Sequence, residues 1–132
     1  MKLQELISLY FERTNAMQTL WGIYITIVLA LLAFYGSKDT SAGIGRSVLI
    51  TMAFVGFAVV NLDALKDVTT TRNRTRDLIV NDKASDHLND DLRRVLPEII
   101  TPPSVLSVMV FHIAGDLMVV GWIWGMTLSK KS

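Results

Sequence analysis

Three long segments, residues 17–36, 47–65 and 105–128, are predominantly apolar and contain no arginine, lysine or glutamate. A helix needs about 20 such residues to cross about 30 Å of hydrocarbon. Hydrophobic residues make up 51% of the 132-residue chain, which is high for a soluble domain of this size. We therefore expect an all-α integral membrane protein, a single membrane domain (1–132) with three transmembrane helices.

A cleaved signal peptide is the alternative interpretation of the first segment, because TSAG at residues 40–43 resembles a cleavage site. The sixteen residues that precede the segment are amphipathic and long for the leading region of a signal peptide. We therefore expect residues 17–36 to be retained as the first crossing.

The basic residues are divided unevenly between the two sides that three crossings define. The N-terminus and the second connection carry nine arginines and lysines, whereas the first connection and the C-terminus carry four. Basic loops tend to stay in the cytoplasm. We therefore expect the N-terminus and residues 66–103 to be cytoplasmic and the C-terminus to lie outside.

Residues 1–16 have the pattern of an amphipathic helix. One face is apolar and consists of Leu3, Leu6, Ile7, Tyr10 and Phe11. This face favours an interfacial helix that lies on the inner leaflet and leads into the first crossing. Packing against the cytoplasmic loop of the same protein is an equally good interpretation.

The second connection, residues 66–103, is too long to be a simple turn, and we expect a helical cytoplasmic loop. Its first part is polar and is expected to extend the second crossing into solvent. Ser85 can cap a further helix that ends at Pro97 and has an apolar stripe on one side. TPPS at residues 101–104 then begins the third crossing.

Arg72, Arg74 and Arg76 alternate within this loop and allow two interpretations. They are candidates for binding anionic lipid headgroups or a phosphorylated ligand. Alternatively, they serve only as the basic topology signal beside a membrane helix, which is the more general role of such residues.

The third crossing contains an ionisable pair, His112 and Asp116. At about 1.5 Å per residue, His112 lies about 10 Å and Asp116 about 16 Å from the inner boundary, close to the middle of the hydrocarbon. The two side chains are only about 40° apart on the helix. Because a carboxylate facing lipid at this depth is costly, we expect the pair to face protein or water.

The opposite face of the third crossing is lined by small residues, which let helix backbones approach closely. These residues are Ser107, Ala114, Gly121 and Gly125. Since both faces then need protein neighbours, we expect one to meet the first two helices and the other to meet a second subunit. The expected partners are membrane lipids and either further copies of the chain or other membrane subunits.

Thr26 is the preferred hydrogen-bond partner of the pair, because it lies at a similar depth on a small face of the first helix. Tyr24 takes second place, since its stripe is apolar and is expected to face lipid. Near the inner boundary, Asn61 and Asp63 point about 160° apart, so only one of them can face the same site. Pairing of Asp63 with a basic residue at the headgroup level is the structural alternative.

The chain has no cysteine, phosphate loop, nucleophile elbow or metal-ligand spacing. We therefore expect neither an enzyme nor a nucleic-acid-binding protein, and no metal or cofactor site. The one cofactor alternative is haem or metal ligation by His112, which would require several copies of the chain.

Three functions are compatible with these features. The first is a small homo-oligomeric protein in which His112 and Asp116 line a proton or cation path. In the structural alternative, the same two residues only fix the packing of the helices. The second is a non-catalytic anchor or accessory subunit of a membrane complex. Three crossings in a chain of this size resemble the architecture of the membrane anchors of succinate dehydrogenase and fumarate reductase. The spaced histidine and arginine pattern of the former is missing, so no residue role carries over.

The third is a ligand sensor formed by residues 71–94.

Overall fold

The computed structural model describes residues 3–37, 43–81 and 90–129, with side chains described outside residues 90–93. These residues form four helices and no strand. The helices are α1 (Leu3–Gly36), α2 (Ile44–Asn81), α3 (Asp90–Ile99) and α4 (Val105–Ser129). Three of them, α1, α2 and α4, are long and apolar enough to cross a membrane, and each contains one of the predicted crossings. The expectation of an all-helical chain with three helices able to cross a membrane is thus confirmed for the described residues.

The three long helices pack side by side, with α2 antiparallel to α1 and α4. At one end of the bundle, Tyr35 of α1 and Thr127 of α4 both reach Ser47 of α2. Near its middle, Asn61 of α2 lies beside His112 of α4. The apolar core between these two levels consists of Tyr24, Tyr35, Phe54, Ala58, Val119 and Ile123.

α1 and α2 are longer than a crossing requires, since 34 and 38 residues span about 51 and 57 Å. The predicted boundary between an interfacial helix (1–16) and a first crossing (17–36) does not interrupt α1. The region around it contains no glycine or proline, so the helix continues. Leu6 and Tyr10 are buried against Ile79 and Ile100, and Leu3 and Ile7 pack beside them, whereas Phe11 of the same face is 51% exposed.

The connection between α2 and α4 is largely helical. α2 continues to Asn81 as the expected extension of the second crossing. α3 runs two residues beyond Pro97, where the helix was expected to end, and Ile100 N–H still donates to Leu96 O at 3.1 Å. Proline lacks an N–H donor and its ring crowds the carbonyl four residues earlier, and α3 ends two residues after it. The predicted cap Ser85 lies outside the described residues.

Ser104 caps α4. Its Oγ accepts a hydrogen bond from the backbone N–H of Ser107 at 3.0 Å, and α4 begins at Val105. Pro102 and Pro103 precede the cap and have no N–H groups to satisfy. This restart sets the register that brings His112 and Asp116 to the middle of the bundle.

Candidate functional site: an intramembrane hydrogen-bonded cluster

Four side chains from three helices form one continuous hydrogen-bonded chain inside the bundle, which we call the polar cluster. Asn61 Nδ2 of α2 lies 3.1 Å from His112 Nε2 of α4. His112 Nδ1 lies 2.8 Å from Asp116 Oδ2, and the Tyr24 hydroxyl of α1 donates to Asp116 Oδ1 at 3.0 Å. The cluster therefore connects all three membrane helices through a single carboxylate and a single imidazole.

The helical spacing of α4 explains why histidine and aspartate meet. Residues four apart lie one turn from each other on the same face. That face also carries Val108, Val119 and Ile123, which are all buried. Because burial of these apolar side chains turns this side of α4 toward α1 and α2, the polar pair on the same side also faces the bundle.

The donors and acceptors define the protonation pattern of the cluster. The Asn61 amide N–H can donate only if His112 Nε2 is the accepting nitrogen. Nδ1 then carries the hydrogen and donates it to Asp116 Oδ2. In this pattern each carboxylate oxygen of Asp116 accepts one hydrogen bond.

Burial differs along the cluster. His112 is 0% exposed, and its ring centroid lies 4.3 Å from that of Tyr24 and 5.7 Å from that of Trp21. The side chain of Asp116 is 21% exposed. The imidazole is therefore enclosed by aromatic rings, whereas the carboxylate is the point at which the cluster reaches the surface of the bundle.

Gly115 lies directly before the carboxylate and makes room for Tyr24. A Cβ atom at this position would lie 2.7 Å from the Tyr24 hydroxyl oxygen. Any larger residue would push the tyrosine ring away from Asp116. The close approach of Tyr24 on α1 is the reason that a side chain would not fit at this position.

Thr26, the preferred partner from sequence, does not contact the pair. Its hydroxyl donates to the backbone oxygen of Gly22 at 2.8 Å, and the residue is exposed. The expectation that Tyr24 faces lipid is also wrong, because Tyr24 is only 6% exposed. Depth alone cannot distinguish the two residues, since they lie on opposite faces of α1 and helix packing decides which face turns inward.

Asn61 and Asp63 are placed on different sides of α2. Asn61 is buried in the polar cluster, whereas Asp63 is exposed and lines an open groove together with Lys66 and Met109. Their predicted divergence is thus visible in the structure. Asp63 makes no hydrogen bond to the cluster among the described residues.

A second buried hydrogen-bonded group, the outer group, lies at the other end of the bundle. Tyr35 donates to Ser47 Oγ at 3.1 Å, and Ser47 Oγ lies 2.8 Å from Thr127 Oγ1. Sequence reasoning missed this group, although Ser47 and Thr127 occur within otherwise apolar stretches. Between it and the polar cluster, Phe54, Val119 and Ile123 fill the core.

The face of α4 that carries small residues is open. Ser107, Ala114, Gly121 and Gly125 are all exposed, and an added Cβ at either glycine would meet nothing within 4 Å. α1 has a similar exposed stripe that includes Gly22, Thr26 and Ala30.

The three alternating arginines separate in space. Arg72 is buried, Arg74 is exposed, and Arg76 pairs with Asp77 at 2.9 Å.

Among the described residues, no group of three or more histidine, aspartate or glutamate side chains could hold a metal ion. Both ring nitrogens of His112 are engaged in hydrogen bonds, so this arrangement offers no open nitrogen to a haem iron. The chemistry that the cluster can support is hydrogen-bond exchange and proton transfer.

Comparisons of the chain with protein-family models, curated proteins and solved structures found no match.

Proposed function

We propose that this chain is a small integral membrane protein whose polar cluster takes up and passes on protons within the bilayer. The observation that carries the proposal is the unbroken connection from Asn61 through His112 and Asp116 to Tyr24. Intramembrane ionisable residues are costly and commonly mark proton or ion pathways. Histidine and aspartate are the usual members of proton relays.

The geometry favours a proton over a metal cation as the transferred species. A hard cation needs several oxygen ligands at once. Asp116 is the single carboxylate in the cluster, and both of its oxygens already accept hydrogen bonds. A proton needs only one acceptor, and each donor of the cluster already lies at hydrogen-bond distance from its acceptor.

Proton transfer through His112 requires a change at Asn61. A proton arriving at Nε2 meets an amide N–H, so the amide must rotate and present its oxygen instead. Nδ1 can then release its own proton to Asp116 Oδ2, which leaves His112 neutral with the hydrogen on Nε2. The net result is one proton moved across the imidazole to Asp116, which becomes a neutral carboxylic acid, with no net charge left on the histidine.

The apolar layer of Phe54, Val119 and Ile123 separates the polar cluster from the outer group. A complete crossing therefore needs water or helix movement in this layer. The side chain of Asp116 is 21% exposed, and a proton enters or leaves the cluster at this carboxylate.

Proton flux into liposomes tests the proposal. The purified protein is reconstituted with a pH-sensitive dye inside, and flux is driven by a potassium diffusion potential. Wild type should acidify the interior, and Asp116→Asn should abolish this. Asp67→Asn makes the same chemical change at an exposed carboxylate of α2 and should leave flux unchanged. Absence of wild-type flux, or equal flux in wild type and Asp116→Asn, contradicts the proposal.

A second proposal, an accessory or anchor subunit, is supported by the open small-residue faces of α1 and α4. Such faces let helices of another chain pack closely. Purification in mild detergent from the native host, followed by native mass spectrometry, should recover a different membrane subunit bound to this chain. Recovery of this chain alone, as a monomer or as several copies, contradicts this assignment.

A further inference from the structure

The cytoplasmic end of the α1–α2 pair contains most of the buried polar atoms that lack partners. Six buried side-chain nitrogen or oxygen atoms of the described residues make no hydrogen bond, and five of them belong to Arg13, Arg72, Asn73 and Arg76. Arg72 contributes both Nε and Nη2 and is only 2% exposed. The sixth atom, Thr51 Oγ1, lies far along α2.

The antiparallel register brings these arginines to one level. Thr69 Oγ1 lies 3.8 Å from Met17 Sδ, and Ile79 packs against Tyr10. Arg13 lies between Tyr10 and Met17 on α1, so it runs alongside the segment of α2 that contains Arg72 and Arg76. Arg13 and Arg76 are half-buried, so this group of arginines reaches the protein surface through them.

Arg76 pairs with Asp77 at 2.9 Å, but the Nε and Nη2 atoms of Arg72 make no hydrogen bond. Glu12 and Asp67, which lie on the same segments of the two helices, have exposed side chains. Arginine keeps its charge in proteins, and a buried cation without an anion is strongly destabilising. A bound anion would satisfy the open N–H groups of Arg72.

We propose that Arg72, assisted by Arg13 and Arg76, forms a binding site for a phosphate group at the cytoplasmic end of the helix pair. The guanidinium fork matches phosphate oxygens. Arg72 lies seven residues beyond residue 65, the predicted end of the crossing, or about 10 Å outside the hydrocarbon, at the level where headgroups give way to water. The site is thus within reach of both a lipid phosphate and a soluble phosphorylated molecule. Arg74 points away and is not part of it. This inference does not depend on the proton path.

Two binding measurements on the full chain in a phosphate-free maltoside detergent distinguish the sources. Calorimetry with inorganic phosphate tests a soluble ligand, and native mass spectrometry with phosphatidic acid against diacylglycerol tests a lipid. Binding in either arm should weaken about tenfold or more in Arg72→Gln and stay within about twofold in the matched control Arg74→Gln.

Arg72→Lys keeps the positive charge but lacks the guanidinium fork. It is the control for misfolding of Arg72→Gln, and it should bind more weakly than wild type. If neither phosphate nor phosphatidic acid binds wild type, the site does not exist. If Arg72→Gln and Arg74→Gln weaken binding equally, the attraction is general surface charge and the assignment to Arg72 is wrong.

Discussion

The hydroxyl of Tyr24 lies 3.0 Å from Asp116 Oδ1 and would lie 2.7 Å from a Cβ atom at position 115. The hydrogen bond between α1 and α4 therefore depends on the absence of a side chain beside the carboxylate. The polar cluster is therefore sensitive to substitutions of Gly115, a residue that has no side chain.

Gly115→Ala is expected to displace Tyr24 and to break its bond to Asp116. Forcing an extra methyl group into a packed site typically costs about 1–3 kcal/mol. Thermal unfolding in detergent should show the loss, and proton flux should fall with it. Gly56→Ala, at an exposed glycine with open space around it, is the matched control and should leave flux unchanged and stability equal or up to about 1 kcal/mol higher, since alanine favours the helix.

Tyr24→Phe should reduce proton flux, whereas Thr26→Val should not. The first change removes the donor to Asp116 Oδ1 and leaves a partly buried acceptor unsatisfied, at a cost of about 1–3 kcal/mol. The second removes only a hydroxyl that bonds to its own helix at Gly22. Equal effects of the two substitutions on flux would contradict the assignment of Tyr24 to the cluster.

His112 should carry a hydrogen on Nδ1 and none on Nε2, because the Asn61 amide nitrogen, which can only donate, lies 3.1 Å from Nε2. Nitrogen-15 NMR of histidine-labelled protein measures this directly, and His87→Gln leaves a single histidine to observe. Asn61→Leu removes the donor and should destabilise the fold by about 1–3 kcal/mol. A hydrogen on Nε2 in wild type would show that the hydrogen bonds run in the opposite direction.

Ser47→Ala should destabilise the bundle without removing the proton-binding groups. Ser47 is fully buried and connects Tyr35 with Thr127, so its loss leaves two buried hydroxyls with fewer partners and costs about 1–3 kcal/mol. Ser8→Ala, at an exposed position, provides the comparison. Unfolding in detergent measures the effect, and an unchanged midpoint for Ser47→Ala would contradict it.

The orientation predicted from the basic residues can be tested with single cysteines, because the chain has none. In intact cells, Gly43→Cys should react with a membrane-impermeant maleimide, and Glu12→Cys should react only after the membrane is opened. The reverse pattern would place the N-terminus outside.

The sequence by itself determined three helices long and apolar enough to cross a membrane, and it placed His112 and Asp116 on one face of the third. Length, apolarity and a period of about 3.6 residues are local properties, and they need no knowledge of neighbouring helices. The continuity of α1 is also a local property, set by the absence of glycine and proline near residue 16, although a boundary was expected there.

Only the tertiary structure decided which residues complete the cluster. Tyr24 and Thr26 lie two residues apart at nearly the same depth, and the rotation of α1 against α4 turns the tyrosine inward and the threonine outward. Helix packing also decides that Asn61 rather than Asp63 joins the cluster, that Ser47 connects Tyr35 with Thr127, and that Arg72 is buried. Each depends on the register between helices distant in sequence, which the packing of all three helices sets together.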